Sequence, residues 1–454
     1  MISPARTVAF DILLRVERQQ AYASELLHSG RLDALSPADR GLCTELVMGV
    51  LRWRSRLDAY IRSYVFSPFA KLDLEALTAL RLGTYQIAFL ERIPAHAAIN
   101  ESVELVKYAG KTSAASLTNA VLRKISTFTG KRVAQPASAG ERPVRMPPRG
   151  GKTPELIARF YAHPEWLVER WAERFGLEAA ERVCTYNQTV PQTAMRLRDA
   201  AVADELKSEG IELAPGVLLA GARRVVSGDV VHTRTYGEGR VSIQDEASQL
   251  VAVLVGHGAR LLDCCAAPGG KAALLAQRNP GAEIVAAEIH PHRVRLLQRL
   301  LEREQARVQV VTADATALPI AGQFDRVLAD VPCSGTGTLA RNPEIKWRLR
   351  PTDLAGLHDK QVAILRAALE RLAPGGQLVY SSCSLEKEEN EDVVEEALSP
   401  GFRLLDCAVE LEKLRREGEL VWRDMAALTS AAFLRILPGV PPCDGFFAAV
   451  IRRG

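Results

Sequence analysis

Two cysteines that follow two apolar runs carry the chemistry available to this chain. Phe324 to Ala329 reads as a buried strand, and Asp330-Val331-Pro332-Cys333-Ser334-Gly335-Thr336-Gly337 follows it. The glycines turn the chain sharply, leaving Asp330 and Cys333 at a strand's carboxyl end, where ligands bind in open α/β sheets. Gln377-Leu378-Val379-Tyr380 reads as another strand, followed by Ser381-Ser382-Cys383-Ser384. Two thiols at two strand ends, one beside a carboxylate, point to paired thiol chemistry.

Asp-x-Pro-Cys is not the Asn/Asp-Pro-Pro-Tyr pattern that suits methylation of an exocyclic amine, which already has a nucleophilic lone pair. Ring C5 of a pyrimidine has none. It becomes reactive when a thiolate adds at C6, giving an enamine that can attack an electrophilic methyl group. A base must then remove the C5 proton before the thiol can leave. Two thiols and one acid match that sequence, and an ordinary thiol, with a pKa of about 8.5, needs local activation for it.

A loop upstream supplies the second half of the site. The first strand ends at Leu262-Asp263-Cys264, and Cys265-Ala266-Ala267-Pro268-Gly269-Gly270-Lys271 opens a helix. Glycines let a backbone approach a ligand closely, and a helix start offers free N–H groups. Alone, Gly269-Gly270 is an ordinary strand-to-helix turn. Glu288 then ends the second strand, where a carboxylate can hold both hydroxyls of a ribose. Asp314 follows the third and can accept from an adenine amino group. The GxGxxG of dinucleotide folds is missing, and Lys271 lacks the spacing of a phosphate loop. S-adenosylmethionine, with a ribose and adenine but no phosphates, fits these parts.

The elements that must position these residues fill 454 residues, a length that predicts about three domains. The net charge of +4 permits a nucleic-acid partner without requiring one. Eight scattered cysteines with no CxxC give neither a disulfide framework nor zinc spacing, so no metal is expected. Cys43, Cys184, Cys264, Cys407 and Cys443 read as buried apolar side chains, and Cys265 as a backbone contributor. The first twenty residues lack an apolar signal core, and no run approaches the length of a membrane span. A cytoplasmic protein and a monomer are expected.

Residues 1–130 read as a helical bundle. Ser3-Pro4 and Ser36-Pro37 are helix starts, each a capping hydroxyl before proline, and further helices are predicted over 73–91, 95–109 and 113–127, with Gly110 and Gly130 as stops. Arg52, Arg54, Arg56 and Arg62 are either a solvated face or phosphate contacts. Residues 131–152, rich in proline, glycine and basic side chains, read as a linker, either a tether or a further RNA contact. Residues 153–240 read as a small α+β unit: helices over 153–161, 164–186 and 200–209, strands over 190–197 and 217–219. Trp166 and Trp171 there read as core. Over 241–454, strands near 259–264, 283–287, 307–312, 324–329 and 376–381 alternate with helices near 270–278, 290–304, 353–372 and 387–398. A last strand follows over 444–451. That alternation predicts a doubly wound, mostly parallel sheet.

Arg6-x-x-Ala9, Ala95-His96-Ala97-Ala98-Ile99-Asn100-Glu101 and Asn119-Ala120-Val121-Leu122-Arg123 resemble the RNA-binding domain of NusB. His163-Pro164-x-Trp166-Leu167-Val168 resembles the entry to a small RNA-binding subdomain. Cys265–Lys271, Asp330–Gly337, Arg341-Asn342-Pro343-Glu344-Ile345-Lys346-Trp347, and Ser382-Cys383-Ser384 with Glu388-Glu389-Asn390-Glu391 resemble the NOL1/NOP2/Sun group of RNA cytosine-5 methyltransferases. Together these imply a NusB-like bundle, an RNA-binding-like α+β subdomain and a Rossmann-like class I methyltransferase domain. They imply 16S rRNA as partner, naked or in early small-subunit particles. The resemblance makes Cys383 the nucleophile, Cys333 the base or product-release thiol and Asp330 the cytosine contact. It places the cofactor on Cys265, Ala266, Ala267, Pro268, Gly269, Gly270, Lys271, Glu288, Asp314 and Asp330. Glu288 stands where Asp is more usual, and Ser382 where Thr is. A DNA cytosine methyltransferase would use the Pro-Cys thiol and need no second cysteine. A non-catalytic RNA-binding or assembly factor would need neither.

Overall fold

The computed structural model describes residues 2–28, 30–65, 69–129 and 151–454, and the chain forms two compact units. The first takes Met1–Thr189 and Leu339–Arg348, the second Val190–Thr338 and Leu349–Gly454. The linker proposed over 131–152 lies almost wholly outside the described residues, as does the stop at Gly130.

The first unit is helical, with helices Pro4–Gln19, Ala23–Leu27, Pro37–Arg62, Leu74–Phe89, Ala95–Tyr108 and Ala115–Thr129. The Ser36 hydroxyl accepts the Asp39 N–H at 3.2 Å, as a cap should. Ser3 makes no side-chain cap; its hydroxyl accepts from the Arg6 guanidinium at 2.9 Å. Two helices cross where a Cβ on Gly49 would stand 2.0 Å from the Tyr85 ring, a close approach that only glycine allows.

The helices Pro154–Phe160, Glu165–Phe175 and Leu177–Asn187 belong to this unit too. The division therefore falls at Thr189, inside the stretch read as one α+β unit. The physical reason is their packing: Gln188 Nε2 donates to the Arg52 carbonyl at 3.1 Å, and Arg56 stacks 5.5 Å from the Phe160 ring. The single helix expected over 164–186 is broken at Gly176, whose φ of +83° no helix accommodates.

Neither reading of the arginine cluster describes all its members. Arg52 is buried and donates to the Ala340 carbonyl at 3.0 Å, Arg54 pairs with Glu17 at 2.8 Å, and Arg62 lies 4.5 Å from the Phe69 ring. The segment Leu339–Arg348 is held by Lys346 Nζ donating to the Arg52 carbonyl at 2.9 Å and Trp347 Nε1 donating to that of Leu51 at 2.6 Å. The Ala23 N–H donates to Glu344 at 2.9 Å. A cut after residue 130 removes all these partners. A 153–454 fragment is therefore expected to melt lower than the full chain and to be cleaved by trypsin at Arg341, Lys346 or Arg348. Full-length protection of those bonds in the fragment would refute the partition.

The second unit holds two sheets. Strands β1 (Ala194–Leu197), β2 (Glu212–Pro215), β3 (Ala222–Ser227) and β4 (Val241–Ile243) form an antiparallel sheet in the order β2-β3-β1-β4. The strand expected over 217–219 is reduced to a single antiparallel bridge, Leu219 to Leu420, with the Val421 N–H donating to the Leu218 carbonyl at 3.0 Å. The Glu246 carboxylate accepts the N–H groups of Val217, Leu218 and Leu219, which turns the chain and keeps the pairing from lengthening.

The large sheet contains β5 (Arg260–Asp263), β6 (Glu283–Glu288), β7 (Gln309–Thr312), β8 (Phe324–Asp330), β9 (Leu372–Ser382), β10 (Phe402–Leu405), β11 (Thr429–Ser430), β12 (Phe433–Ile436) and β13 (Phe446–Arg453). Its order is β11-β12-β13-β9-β8-β5-β6-β7, with β10 also on β13. β5 to β9 run parallel and β10 to β13 antiparallel. Apolar cores, one containing Leu261, Leu328 and Val379, another Leu262, Val327 and Tyr380, pack against this sheet. Strand order reverses between β5 and β8, the switch point at which such sheets bind ligands.

Candidate active site

Five parallel strands deliver the site residues at their carboxyl ends. Asp263 ends β5, Glu288 ends β6, Asp314 follows β7, Asp330 ends β8 and Cys383 follows β9. Asp330 and Ser381 are register partners, so the β8 and β9 loops leave neighbouring strands at the same level. That is why the two thiols meet: Cys333 Sγ and Cys383 Sγ are 3.2 Å apart.

The β8 loop is stitched beneath them. The Gly337 N–H donates to the Cys383 carbonyl at 2.8 Å, and the Gly445 N–H to the Gly337 carbonyl at 2.8 Å. A Cβ on Gly337 would stand 2.4 Å from the Gly445 oxygen, so the motif needs glycine here. The Cys383 thiol beside it, and then burial, push the Cys333 thiol well above the ordinary range. Cys43, Cys184, Cys264, Cys407 and Cys443 are buried, as the sequence reading has them, and so is Trp171, whereas Trp166, also expected in the core, is only half-buried.

Asp330 is already engaged. Lys271 Nζ donates to Oδ2 at 2.7 Å and the Ser381 hydroxyl to Oδ1 at 2.7 Å. Burial pulls the Lys271 ammonium down, yet the Asp330 carboxylate carries it above its ordinary value. The sequence placed Lys271 in the cofactor loop but gave no sign of this pairing. Asp263 was also unassigned, although it ends its strand as Glu288 does. Burial, then repulsion from Asp330, push the Asp263 carboxyl up to about 7 against the pull of Lys271.

The loop Cys265–Lys271 runs alongside β6. The Ala266 N–H donates to the Ala287 carbonyl at 2.9 Å, and Arg293 donates to the Ala267 carbonyl at 3.0 Å. Gly269, at φ +120°, turns the chain into the helix Gly270–Arg278, and a Cβ there would meet Leu297 at 2.9 Å. Glu288 is buried and accepts the His290 N–H at 2.9 Å, while exposed Asp314 accepts from the N–H and hydroxyl of Thr316. Those two bonds, the N–H first, hold Asp314 below the ordinary carboxylate range. A buried Asp263 Oδ2 without a protein partner and two carboxylates at adjacent strand ends form an acceptor set. That set fits a ligand rich in hydroxyl and amino donors. Among the described residues, no group of three or more His, Cys, Asp or Glu is placed to hold a metal ion.

Comparison with known proteins gives this arrangement its family. Residues 252–452 match the model described as 16S rRNA methyltransferase RsmB/F, and residues 3–127 match the NusB family. The chain is 35% identical to the probable ribosomal RNA small subunit methyltransferase B of Bacillus subtilis, over 99% of this chain and 98% of that protein. This chain belongs to the ribosomal RNA small subunit methyltransferase B family. The Pseudomonas putida member is 36% identical over 84% of this chain and 86% of its own. The crystal structure of PH0851 has the same fold, with a TM-score of 0.79 at 21% identity, covering 100% of this chain and 99% of that one. NSun6 from Pyrococcus horikoshii, solved with SFG, shares the fold over 64% of this chain and 98% of its own, with a TM-score of 0.55 at 19% identity. Family membership makes the chain an rRNA methyltransferase that uses a cofactor of the S-adenosylmethionine type. No helix among the described residues is long and apolar enough to cross a membrane.

Proposed function

We propose that this methyltransferase modifies C5 of a cytidine in 16S rRNA through a covalent bond between Cys383 and C6. The observation that carries the reading is the pair of thiols 3.2 Å apart at the ends of β8 and β9. Amine methylation has no use for them, and neither has a non-catalytic binding factor. When bound, S-adenosylmethionine supplies an electrophilic methyl group. The loop Cys265–Lys271 with Glu288 and Asp314 would hold it, and Asp330 borders both the cofactor and the base. Each Asp330 oxygen has a second lone pair beyond its bond to Lys271 or Ser381, so the carboxylate can also accept from the cytosine's amino edge. Cys383 adds to C6, C5 becomes nucleophilic and takes the methyl, and Cys333 removes the C5 proton so that the C6–S bond breaks by elimination. The NusB-like unit supplies RNA contacts.

Incubation with methyl-labelled cofactor and 16S rRNA, naked and in small-subunit particles, followed by nucleoside analysis, tests this reading. Label in 5-methylcytidine is expected; label in another nucleoside, or none, overturns it. Glu288→Ala and Asp314→Ala are each expected to weaken cofactor binding by about 1.5–3 kcal/mol, the contribution of a hydrogen bond to a charged group. RNA affinity should hardly move. Unaltered calorimetric affinity in both variants would remove these acids from the cofactor site.

A further inference from the structure

A buried carboxylate that the reaction scheme leaves unused joins the two cysteine loops. Glu389 is fully buried, in the short 3-10 turn Lys387–Glu389. One oxygen accepts the Ser334 N–H at 2.7 Å and Gln361 Nε2 at 2.9 Å. The other accepts from the hydroxyls of Ser334 and Ser384. Those hydroxyls also lie 3.0 Å from each other. Ser334 follows Cys333 and Ser384 follows Cys383. One side chain thus grips the residue after each thiol. The turn is itself fixed: the Tyr380 hydroxyl donates to the Glu389 carbonyl at 2.6 Å. Next to it, Asn390 donates to the Ser384 carbonyl at 2.9 Å and accepts the Ser382 hydroxyl at 2.6 Å.

We propose that Glu389 is a positioning residue that sets the spacing of the two thiols by holding Ser334 and Ser384 on one carboxylate. This deepens the proposed function and rests on it. Cys383 must reach C6 while Cys333 reaches the hydrogen on C5, so the two sulfurs must stay close enough to serve neighbouring ring atoms at the same time. Strand pairing fixes Asp330 and Ser381, two to three residues short of the thiols. Beyond that point Glu389 ties the loops at Ser334 and Ser384, besides the Gly337–Cys383 bond.

The test uses full-length Glu389→Gln, with Ser334→Ala, Ser384→Ala and the double serine variant in case glutamine disturbs folding. Phenylarsine oxide reports sulfur spacing directly. Its arsenic bonds to both sulfurs, the two thiol protons leave with its oxygen as water, and nothing is oxidised or reduced. In the unaltered protein one arsenical should bridge Cys333 and Cys383, read by mass and peptide map, with Cys333→Ala as the control that cannot bridge. Glu389→Gln should bridge at least about tenfold more slowly. It should lose kcat by about a hundredfold, as misplacements near 1 Å do, with cofactor Kd unchanged. Each single serine variant should show a smaller loss and the double variant a larger one. General loss of structure would instead lower the melting temperature and cofactor affinity together. Bridging and kcat equal to the unaltered protein's in Glu389→Gln, or in the folded double serine variant, would overturn the proposal. If Cys383→Ala keeps methylating RNA, the proposed function fails, whereas bridging still reports whether Glu389 sets the spacing.

Discussion

Cys383→Ala is expected to abolish methyl transfer, by on the order of 10^4-fold or more, the scale seen when a covalent nucleophile is removed. Without that sulfur nothing adds to C6, and C5 stays inert. Cofactor binding should persist, because the loop Cys265–Lys271 and the acids after β6 and β7 are separate from the β9 loop. Calorimetry on the variant and a methylation assay with labelled rRNA read the two effects independently. Turnover near that of the unaltered protein would remove Cys383 from the nucleophile's role. Loss of both turnover and cofactor binding would point to damage at the carboxyl ends of the central strands.

Cys333→Ala is expected to have the opposite signature. Addition and methyl transfer proceed, leaving both a methyl and a hydrogen on C5. Until that hydrogen leaves as a proton, the C6–S bond cannot break. A protein–RNA conjugate should accumulate, stable on a denaturing gel and absent from the Cys333→Ala, Cys383→Ala double variant. Asp330→Ala should not trap it, because loss of the contact to the base impairs addition instead. Swapped roles would give a conjugate in Cys383→Ala. Normal turnover with no conjugate in Cys333→Ala would leave Cys333 a structural cysteine only.

The strand-end rule made most of the candidate site legible in the sequence. Alternating apolar runs located β5, β6, β7, β8 and β9, and the acids and thiols were read off the residues that follow them. The missing parts concern which side chains face each other. Nothing in the run Glu388-Glu389-Asn390-Glu391 says that Glu389 is the one turned onto Ser334 and Ser384. Lys271 was legible as part of a loop but not as the partner of Asp330, 59 residues away. The helix Glu246–Val255 escaped because almost every side chain in it is buried, leaving no apolar stripe to count. The strands β10, β11 and β12 are two to four residues long and gain their structure from pairing with distant segments, which no local pattern records.

Partition of the chain was the least legible feature, because its cause is non-local. Arg341–Trp347 is a motif of the methyltransferase half, yet its lysine and tryptophan find their acceptors at Arg52 and Leu51. A reading that moves along the chain assigns such a segment to the domain around it.

That arrangement sets an order of events during synthesis. The helical unit lacks one piece until Leu339–Arg348 has left the ribosome, about 150 residues after Thr189. At about 5–20 residues per second, the helices wait roughly eight to thirty seconds with the Arg52 and Leu51 carbonyls not yet met by Lys346 and Trp347. By then β5, β6, β7 and β8 have all emerged, while β9, which completes the thiol pair, has not. The nascent helical unit is thus closed by a segment that emerges between the two cysteines, before the second of them has left the ribosome.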